Sequence, residues 1–165
     1  MTKGYLFFFH ENELNGWCSN WYPAAFTLDD VTYRDTEQYF MAQKALRFGD
    51  DVRYGQIMAA TDPAKYKHLG KLVKNFDPAV WDAERYEIMK TGNRAKFRQN
   101  PELLSVLLST GDLMLAEASP YDTVWGIGLG AGKAYETDPV TFPGKNLLGK
   151  LLMELRDEFR AEARK

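Results

Sequence analysis

The spacing of apolar residues along the chain predicts several helices and a few short strands. Residues 5–9 form an apolar, aromatic run, which favours a strand. Residues 26–33 alternate around Asp29 and Asp30, the expected tip of a hairpin, so the two segments predict a small β-sheet near the N-terminus. One further strand is expected at residues 113–118.

Start and stop signals predict the helices that follow the hairpin. Asp35 and Gln38 have the spacing of a capping box, which opens a helix that Gly49 can end after about Phe48. Asp or Asn before proline marks further starts, because proline in the first helical position loses no hydrogen bond. Such pairs predict helices that begin at residues 63, 78 and 101.

The end of the chain predicts one more helix, preceded by a long loop. Asn146 can cap a helix in which leucines recur at helical spacing as far as Phe159, which indicates a core helix. Residues 119–145 are rich in Gly and Pro and have no periodicity. A loop of that length inside a compact domain is uncommon unless it has a function.

Together these elements predict one α+β domain over residues 1–165, mainly α-helical with a small N-terminal β-sheet. The composition, 45% hydrophobic and 27% charged, is that of a soluble globular protein. No apolar run approaches the ~18 residues that span a bilayer, and residues 5–9 are too short for a signal peptide, so we expect a cytoplasmic location and no membrane partner. One cysteine, Cys18, and two histidines exclude an internal disulfide and a usual zinc set, so no metal is expected.

The charge pattern leaves two interpretations open. The formal net charge of −2 lacks the basic excess of proteins that bind nucleic-acid phosphates, so no stable nucleic-acid complex is expected. Residues 65–98 nevertheless contain nine basic and four acidic side chains. These lysines and arginines are either solvated helix faces or a landing surface for a phosphate-bearing ligand.

Glu37 and Lys44 are the first candidates for chemistry. They lie seven residues apart in the first predicted helix, so they share nearly one face and are separated by about 10 Å along the axis. One interpretation is that each reaches solvent or pairs with a charge elsewhere. The other is that burial raises the pKa of the glutamate and lowers that of the lysine, which would make a proton donor and a nucleophilic amine.

The glycine-rich run at residues 126–132 is not a known phosphate loop. A Walker A motif needs glycine where Ile127 stands and Ser or Thr where Ala134 stands, and no spacing gives the dinucleotide fingerprint. No nucleotide cofactor is therefore expected. The run remains a loop whose backbone can approach a ligand, beside the aromatic Trp125 and the carboxylate of Asp122. Each tryptophan also has a core interpretation, which helical spacing favours for Trp81.

Six sequence blocks follow one another over nearly the whole chain. They are Ser19-Asn20-Trp21-Tyr22-Pro23, Thr36-Glu37-Gln38-Tyr39-Phe40-Met41-Ala42-Gln43-Lys44, Asp77-x-x-x-Trp81, Arg94-Ala95-Lys96-Phe97, Ser119-Pro120-x-Asp122-x-x-Trp125-Gly126 and Gly144-Lys145-Asn146-Leu147-Leu148-Gly149. In this order the blocks resemble the NADAR, or YbiA-like, family of small intracellular N-glycosidases. Some members split reactive amino-sugar phosphate intermediates of riboflavin synthesis, and others remove ADP-ribose from guanine bases. The resemblance implies a cofactor-independent hydrolase whose substrate is a small-molecule or nucleic-acid-linked ADP-ribose or ribosylamine.

The resemblance also implies roles for individual residues. Glu37 matches the family's essential glutamate, and Lys44 matches a lysine proposed to form an imine with the anomeric carbon of the sugar. Asp122 matches an acid of the glycine-rich loop, which completes the catalytic set. The expected substrate-binding residues are Asn20, Tyr22, Trp81, Arg94, Lys96, Trp125, Gly126 and Asn146. Among these, the tryptophans would stack on the base, and Arg94 and Lys96 would hold phosphate.

Two other classes of function compete with this interpretation. A catalytically silent module that binds ADP-ribose or a nucleotide would use the same aromatic and basic residues, but it has little need of a buried acid beside a lysine. A purely structural interaction domain does not explain the long glycine-rich segment. The pair Tyr22-Pro23 resembles the ADP-ribose-processing branch of the family more than the riboflavin branch. This chain departs from the family pattern at Trp21, where phenylalanine is common in the family.

Overall fold

Residues 4–165 are described by a computed structural model, and this part of the chain forms four short strands and seven α-helices. The strands are β1 (Tyr5–Phe8), β2 (Phe26–Leu28), β3 (Val31–Tyr33) and β4 (Met114–Glu117). The helices are α1 (Thr36–Arg47), α2 (Asp51–Ala59), α3 (Pro63–Lys71), α4 (Pro78–Gln99), α5 (Pro101–Ser109), α6 (Ala131–Tyr135) and α7 (Leu147–Ala163). The predicted α+β class, mainly helical, is confirmed. Among the described residues, no helix is both long and apolar enough to cross a membrane.

The chain divides into two compact units. The middle unit is Pro23–Pro101, and the terminal unit comprises residues up to Tyr22 together with Glu102–Lys165. The middle unit contains β2, β3 and α1–α4, whereas β1, β4, α6 and α7 belong to the terminal unit. One domain over residues 1–165 stays a prediction.

In the middle unit, α1 packs against each of α2, α3 and α4. The Asp35 side chain accepts a hydrogen bond from the Gln38 N–H at 2.9 Å, so the predicted cap is present. Gly49, with φ +69°, follows the end of the helix in the left-handed region that favours glycine. Asp62 and Asp77 cap α3 and α4 as predicted.

The sequence patterns did not predict helix α2. Its N-cap is Asp50, whose carboxylate accepts hydrogen bonds from the Arg53 N–H at 3.1 Å and the Lys74 N–H at 2.8 Å. Ile57 is the one residue of α2 that is fully buried. A nine-residue helix with so little apolar periodicity gives almost no helical signal.

The strands form two separate two-stranded sheets, not the single N-terminal sheet that we predicted. In the middle unit, β2 and β3 are an antiparallel hairpin with Asp29 and Asp30 at positive φ in the turn, as expected for a tight hairpin. In the terminal unit, β1 pairs in parallel with β4, and Tyr5 lies opposite Met114. This pairing joins segments more than 100 residues apart, and local patterns cannot reveal such a partner.

The apolar core of each unit follows from these elements. In the middle unit, the rings of Phe26, Tyr33 and Tyr39 lie within 6 Å of one another, between 5.2 and 5.8 Å by ring centroids. In the terminal unit, α7 packs its leucine face against β4, as predicted for a core helix. The sheet of β1 and β4 thereby fixes the chain just before the loop of residues 119–145.

Candidate active site

Helix α1 places Glu37 and Lys44 on one side of the middle unit. All of the first seven helical residues are buried because α1 is covered by three neighbouring helices. Glu37 is 7% exposed, which is rare for a glutamate unless its carboxyl group has a partner or a function. Lys44 lies two turns further on and is half-buried.

The surroundings of Lys44 lower the pKa of its amine. Burial lowers the pKa of Lys44, and the negative charge of Glu37 opposes that change without cancelling it. The Nζ atom lies 4.2 Å from the centroid of the Phe76 ring, where it makes a cation–π contact when charged. The two candidate catalytic groups of α1 therefore interact electrostatically, and their catalytic roles stay predictions.

Aromatic rings line the space beside Lys44. The Trp81 ring lies 4.9 Å from Phe40 and 6.3 Å from Phe48, and the Phe48 ring lies 5.3 Å from Phe76. Trp81 is only 5% exposed, so it is packed chiefly against other aromatic side chains. This placement supports the core interpretation of Trp81, and its role in a substrate pocket stays a prediction.

Phe76 is the site residue that sequence reasoning missed. It occupies the position before the N-cap Asp77, and Trp81 is the fourth residue of α4. These are the two positions of a hydrophobic staple, in which an apolar residue before the cap packs toward the first turns of the helix. The spacing between Phe76 and Trp81 was the sequence signal that could have identified Phe76.

The structure places the two residues predicted to bind phosphate in different environments. Arg94 is half-buried, whereas Lys96 is fully buried, at 0% exposure. The Lys96 Nζ lies 5.3 Å from the Phe97 ring centroid. The positive charge of Lys96 favours the ionised form of Asp35. Exposed side chains in the basic stretch are Lys65, Lys67, Lys71, Lys74 and Arg98. Lys96 is therefore not part of any solvent-facing landing surface.

In the terminal unit, the loop with Asp122 and Trp125 is held by its own side chains. The Ser119 hydroxyl accepts hydrogen bonds from the backbone N–H groups of Tyr121 and Asp122, at 3.3 and 3.2 Å. The Asp122 Oδ1 atom accepts from the Val124 and Trp125 N–H groups, both at 2.8 Å. Asp122 and Trp125 are both half-buried. Asp122 thus fixes the backbone that presents the Trp125 ring.

Glycines of this loop are required by the packing of the chain itself. A Cβ atom on Gly126 would lie 2.9 Å from the carbonyl oxygens of Asp122 and Glu117. A Cβ on Gly144 would collide with the carbonyl oxygen of Gly126, which also accepts a hydrogen bond from the Asn146 N–H at 3.0 Å. The close backbone approach that we predicted is therefore made to neighbouring chain segments, and its use for a ligand stays a prediction.

Three further predicted binding residues belong to the terminal unit. Asn146 occupies the N-cap position of α7, but its side chain makes no cap bond. Instead it accepts from the Glu117 N–H at 3.1 Å and donates to the Leu115 carbonyl at 2.9 Å, which binds α7 to β4. Asn20 is buried at 8% exposure, and Tyr22 is half-buried.

The described part of the chain contains no cluster of side chains arranged to hold a metal ion. Within residues 4–165, no three His, Cys, Asp or Glu side chains are grouped so that they could hold a metal ion.

Comparison with known proteins identifies relatives of this chain. Residues 7–160 match the NADAR domain. The chain belongs to the NADAR domain family. N-glycosidase R617 of Acanthamoeba polyphaga mimivirus is 43% identical to this NADAR chain over 165 residues, which cover 95% of the chain and 97% of that protein.

Two other relatives cover most of the NADAR chain. N-glycosidase YbiA of Escherichia coli (strain K12) is 33% identical over 160 residues, covering 94% of the chain and 88% of that protein. The NMR structure of E. coli YbiA has a TM-score of 0.82 and 29% identity, covering 100% of this chain and 90% of that chain. Riboflavin biosynthesis protein VVA0006 of Vibrio vulnificus (strain YJ016) is 33% identical over 159 residues, which cover 96% of this chain but 39% of that protein.

The family assignment confirms three predictions made from the sequence. The NADAR chain is a member of the family that its six blocks resemble. Its fold is that of YbiA, mostly helical with few strands. Its class of activity, a hydrolase of N-glycosidic bonds, is that of the curated relatives named N-glycosidase.

Proposed function

We propose that this NADAR protein hydrolyses the C–N glycosidic bond of an ADP-ribosylated base such as guanine, or of a related phosphorylated ribosylamine such as an early riboflavin-pathway intermediate. The observation that carries the proposal is the pair on α1. A buried carboxyl group and a lysine whose pKa is lowered by burial interact electrostatically on that helix. A protein that only binds its ligand has no need of this pair.

Glu37 supplies the proton that the reaction requires. As the C–N bond breaks, the electron pair moves to the leaving nitrogen, which must be protonated, and positive charge develops on the sugar ring. The buried Glu37 carboxyl is the proposed proton donor, and a carboxylate stabilises the charged ring. We propose Asp122 for that second role. Water adds to the anomeric carbon and gives a proton to the Glu37 carboxylate, which completes the hydrolysis and restores the protonated acid.

Lys44 offers a covalent route to the same products. Its neutral amine attacks the anomeric carbon as the bond to the protonated nitrogen breaks. The bond from the anomeric carbon to the ring oxygen then breaks and the ring oxygen takes the amine proton, so the opened sugar remains on Lys44 as an imine until water hydrolyses it and restores the amine. Borohydride added during turnover is expected to fix the sugar on Lys44, and Lys44→Arg is expected to abolish this trapping because guanidinium stays protonated. Absence of an adduct by mass spectrometry, with substantial activity in Lys44→Ala, would leave direct attack by water.

The remaining candidate residues recognise the substrate. We propose that Trp125 stacks on the base, that Arg94 binds phosphate, and that Asn20 and Tyr22 contact the sugar or base. The half-buried state of Trp125 and Arg94 supports these roles because each side chain keeps exposed surface for a ligand. The pair Tyr22-Pro23 favours the ADP-ribosyl substrate over the riboflavin intermediates.

A substrate panel tests the proposal. The purified chain is incubated with ADP-ribosylated guanine as base, nucleotide and oligonucleotide, and with the phosphorylated riboflavin intermediates, and the released sugar is measured. We expect cleavage of at least one substrate, and Glu37→Gln should lower its rate by about 10²–10⁴. Glu87→Gln, a matched change at an exposed position of α4, should retain the wild-type rate.

Two outcomes would contradict parts of this scheme. A Glu37→Gln variant with nearly the wild-type rate would remove Glu37 as general acid or base. Tight binding of ADP-ribose without release of sugar from any panel member would instead favour the silent binding module.

A further inference from the structure

The backbone around Phe76, in the segment between α3 and α4, is fixed by specific interactions. Before it, the Lys74 N–H donates to the Asp50 carboxylate at 2.8 Å, which ties the segment to the start of α2. Asn75 has φ +56°, in the left-handed region that asparagine tolerates better than most residues. After it, the Asp77 side chain caps α4. Phe76 is therefore presented from a defined turn.

The Phe76 ring lies against both an aromatic ring and an amine of α1. Its centroid is 5.3 Å from that of Phe48, with the two rings edge to face at 77°. The Nζ atom of Lys44 is 4.2 Å from the same Phe76 centroid. Lys44 and Phe48 are four residues apart, so they are neighbours on one side of the end of α1. Phe76 thus contacts α1 at two points, and one of them is the amine proposed to react.

Packing alone does not explain an aromatic side chain at position 76. A hydrophobic staple requires only an apolar residue, and leucine would serve. Phe76 keeps 39% of its surface exposed, so its burial contributes less to stability than that of a core residue. The property that distinguishes phenylalanine from leucine here is the negative face of the ring, which attracts an ammonium group within about 6 Å of its centroid.

We infer that Phe76 is a positioning residue for Lys44, whose ring face holds the amine group in place and favours its ammonium form before substrate binds. This inference rests on the proposed function, in which Lys44 is the nucleophile of the covalent route. Deprotonation removes the charge that the ring attracts, so the contact weakens as the amine becomes nucleophilic. Phe76 therefore orders the lysine in the resting protein and takes no part in bond making or breaking.

Burial and the ring face act on Lys44 with opposite signs, which makes the inference testable. Phe76→Leu removes the ring face and also reduces the cover over Lys44. Loss of the ring face should lower the pKa of Lys44 by about 0.5 pH unit, whereas reduced burial alone would raise it. Phe76→Trp supplies a ring that attracts ammonium more strongly, so the pKa should stay at the wild-type value or rise, whereas greater burial alone would lower it.

The charged groups around Lys44 are the same in all of these variants. Glu37 is the charge that acts on Lys44 from its own helix. Arg47, which follows on α1, is paired with Glu84 of α4 at 2.6 and 2.9 Å. The other charged groups near the start of α2, the end of α3 and the start of α4 are Asp50, Asp51, Arg53, Lys71, Lys74, Asp77 and Asp82. A change in the titration of Lys44 therefore reports the substitution at Phe76.

The measurement is a ¹³C NMR titration of the Lys44 Cε in the full chain without substrate, with its signal assigned from its loss in Lys44→Arg. Leu46→Ala is the matched control, because it removes an exposed apolar side chain from α1 two residues from Lys44. Residues two apart on a helix do not face each other, so this variant should leave the titration unchanged. Thermal unfolding of each variant establishes that the chain is folded under the conditions of the titration.

The titration does not depend on turnover, so failure of the proposed function, seen in the substrate panel, is distinguishable from failure of this inference. With an active substrate, the limb of the pH–rate profile due to Lys44 should move with the NMR value in Phe76→Leu, while KM changes less than about threefold. A change in packing without an effect on the amine would leave that limb in place.

Two results would overturn the inference. A pKa of Lys44 that is unchanged or raised in Phe76→Leu would show that Phe76 is a hydrophobic staple alone. A pKa below the wild-type value in Phe76→Trp would show that burial, and not the ring face, determines the protonation of Lys44.

Discussion

Asp35 should make the stability of the protein depend on pH in an unusual direction. Its pKa is about 6 in the folded protein because of burial, against 3.8 for an unperturbed aspartate. The folded state therefore binds the proton more tightly than the unfolded state does. This contribution to stability is complete below about pH 4, and it is lost as the pH rises through about 6.

The difference between the two pKa values corresponds to about 3 kcal/mol in the free energy of unfolding between pH 4 and pH 7. Other carboxyl groups titrate over the same range, and the lowered pKa of Asp50, caused by the Lys74 and Arg53 N–H groups, has the opposite sign. The quantity to compare is thus the stability of Asp35→Asn relative to wild type. That variant should gain up to about 3 kcal/mol on wild type as the pH rises from 4 to 7.

Urea unfolding followed by tryptophan fluorescence, repeated at half-unit steps of pH, measures this difference. Asp62→Asn serves as the matched control, since it changes an exposed cap and not a buried carboxylate. A stability difference between wild type and Asp35→Asn that is constant from pH 4 to pH 7 would refute the reasoning.

Further predictions concern the tryptophans and the glycine-rich loop. Trp81→Ala should lower the free energy of unfolding by about 3–5 kcal/mol because the ring is buried among aromatic side chains. Trp125→Ala should weaken ligand binding by about 1–3 kcal/mol while barely moving Tm, and normal affinity with a large loss of stability would return Trp125 to the core. Gly144→Ala should lower Tm by several degrees, since its Cβ collides with backbone, whereas Gly132→Ala meets open space and should leave Tm unchanged or raise it. Equal Tm values for the two glycine variants in thermal unfolding would contradict the collision.

Local signals were sufficient for most of the helices and for the residues on α1. A capping side chain and its backbone N–H partner are neighbours in sequence, so Asp35, Asp62 and Asp77 could be assigned before the structure was known. Glu37 and Lys44 share one helix, so the periodicity of the helix alone brings them to one face. The pairing of β1 with β4 has no such signal because the partners are far apart in sequence.

Side chains that depend on packing between elements were harder to predict. Phe76 precedes a helix and contacts a lysine on another, so its role depends on how α1 and α4 pack in the middle unit. Asn146 was placed correctly at the start of α7, but its amide group bonds to β4 and not to its own helix. In both cases the residue type suited two partners, and only tertiary structure decides between them.

Lys96 shows most clearly why a charge pattern alone does not identify the residues that bind phosphate. The stretch of residues 65–98 contains nine basic side chains that are equivalent in a count of charge, yet Lys96 is fully buried while Lys71 and Lys74 are exposed. A fully buried ammonium is strongly disfavoured, so it persists only where an opposing charge or a function compensates it. The positive charge of Lys96 favours the ionised form of Asp35, which burial opposes.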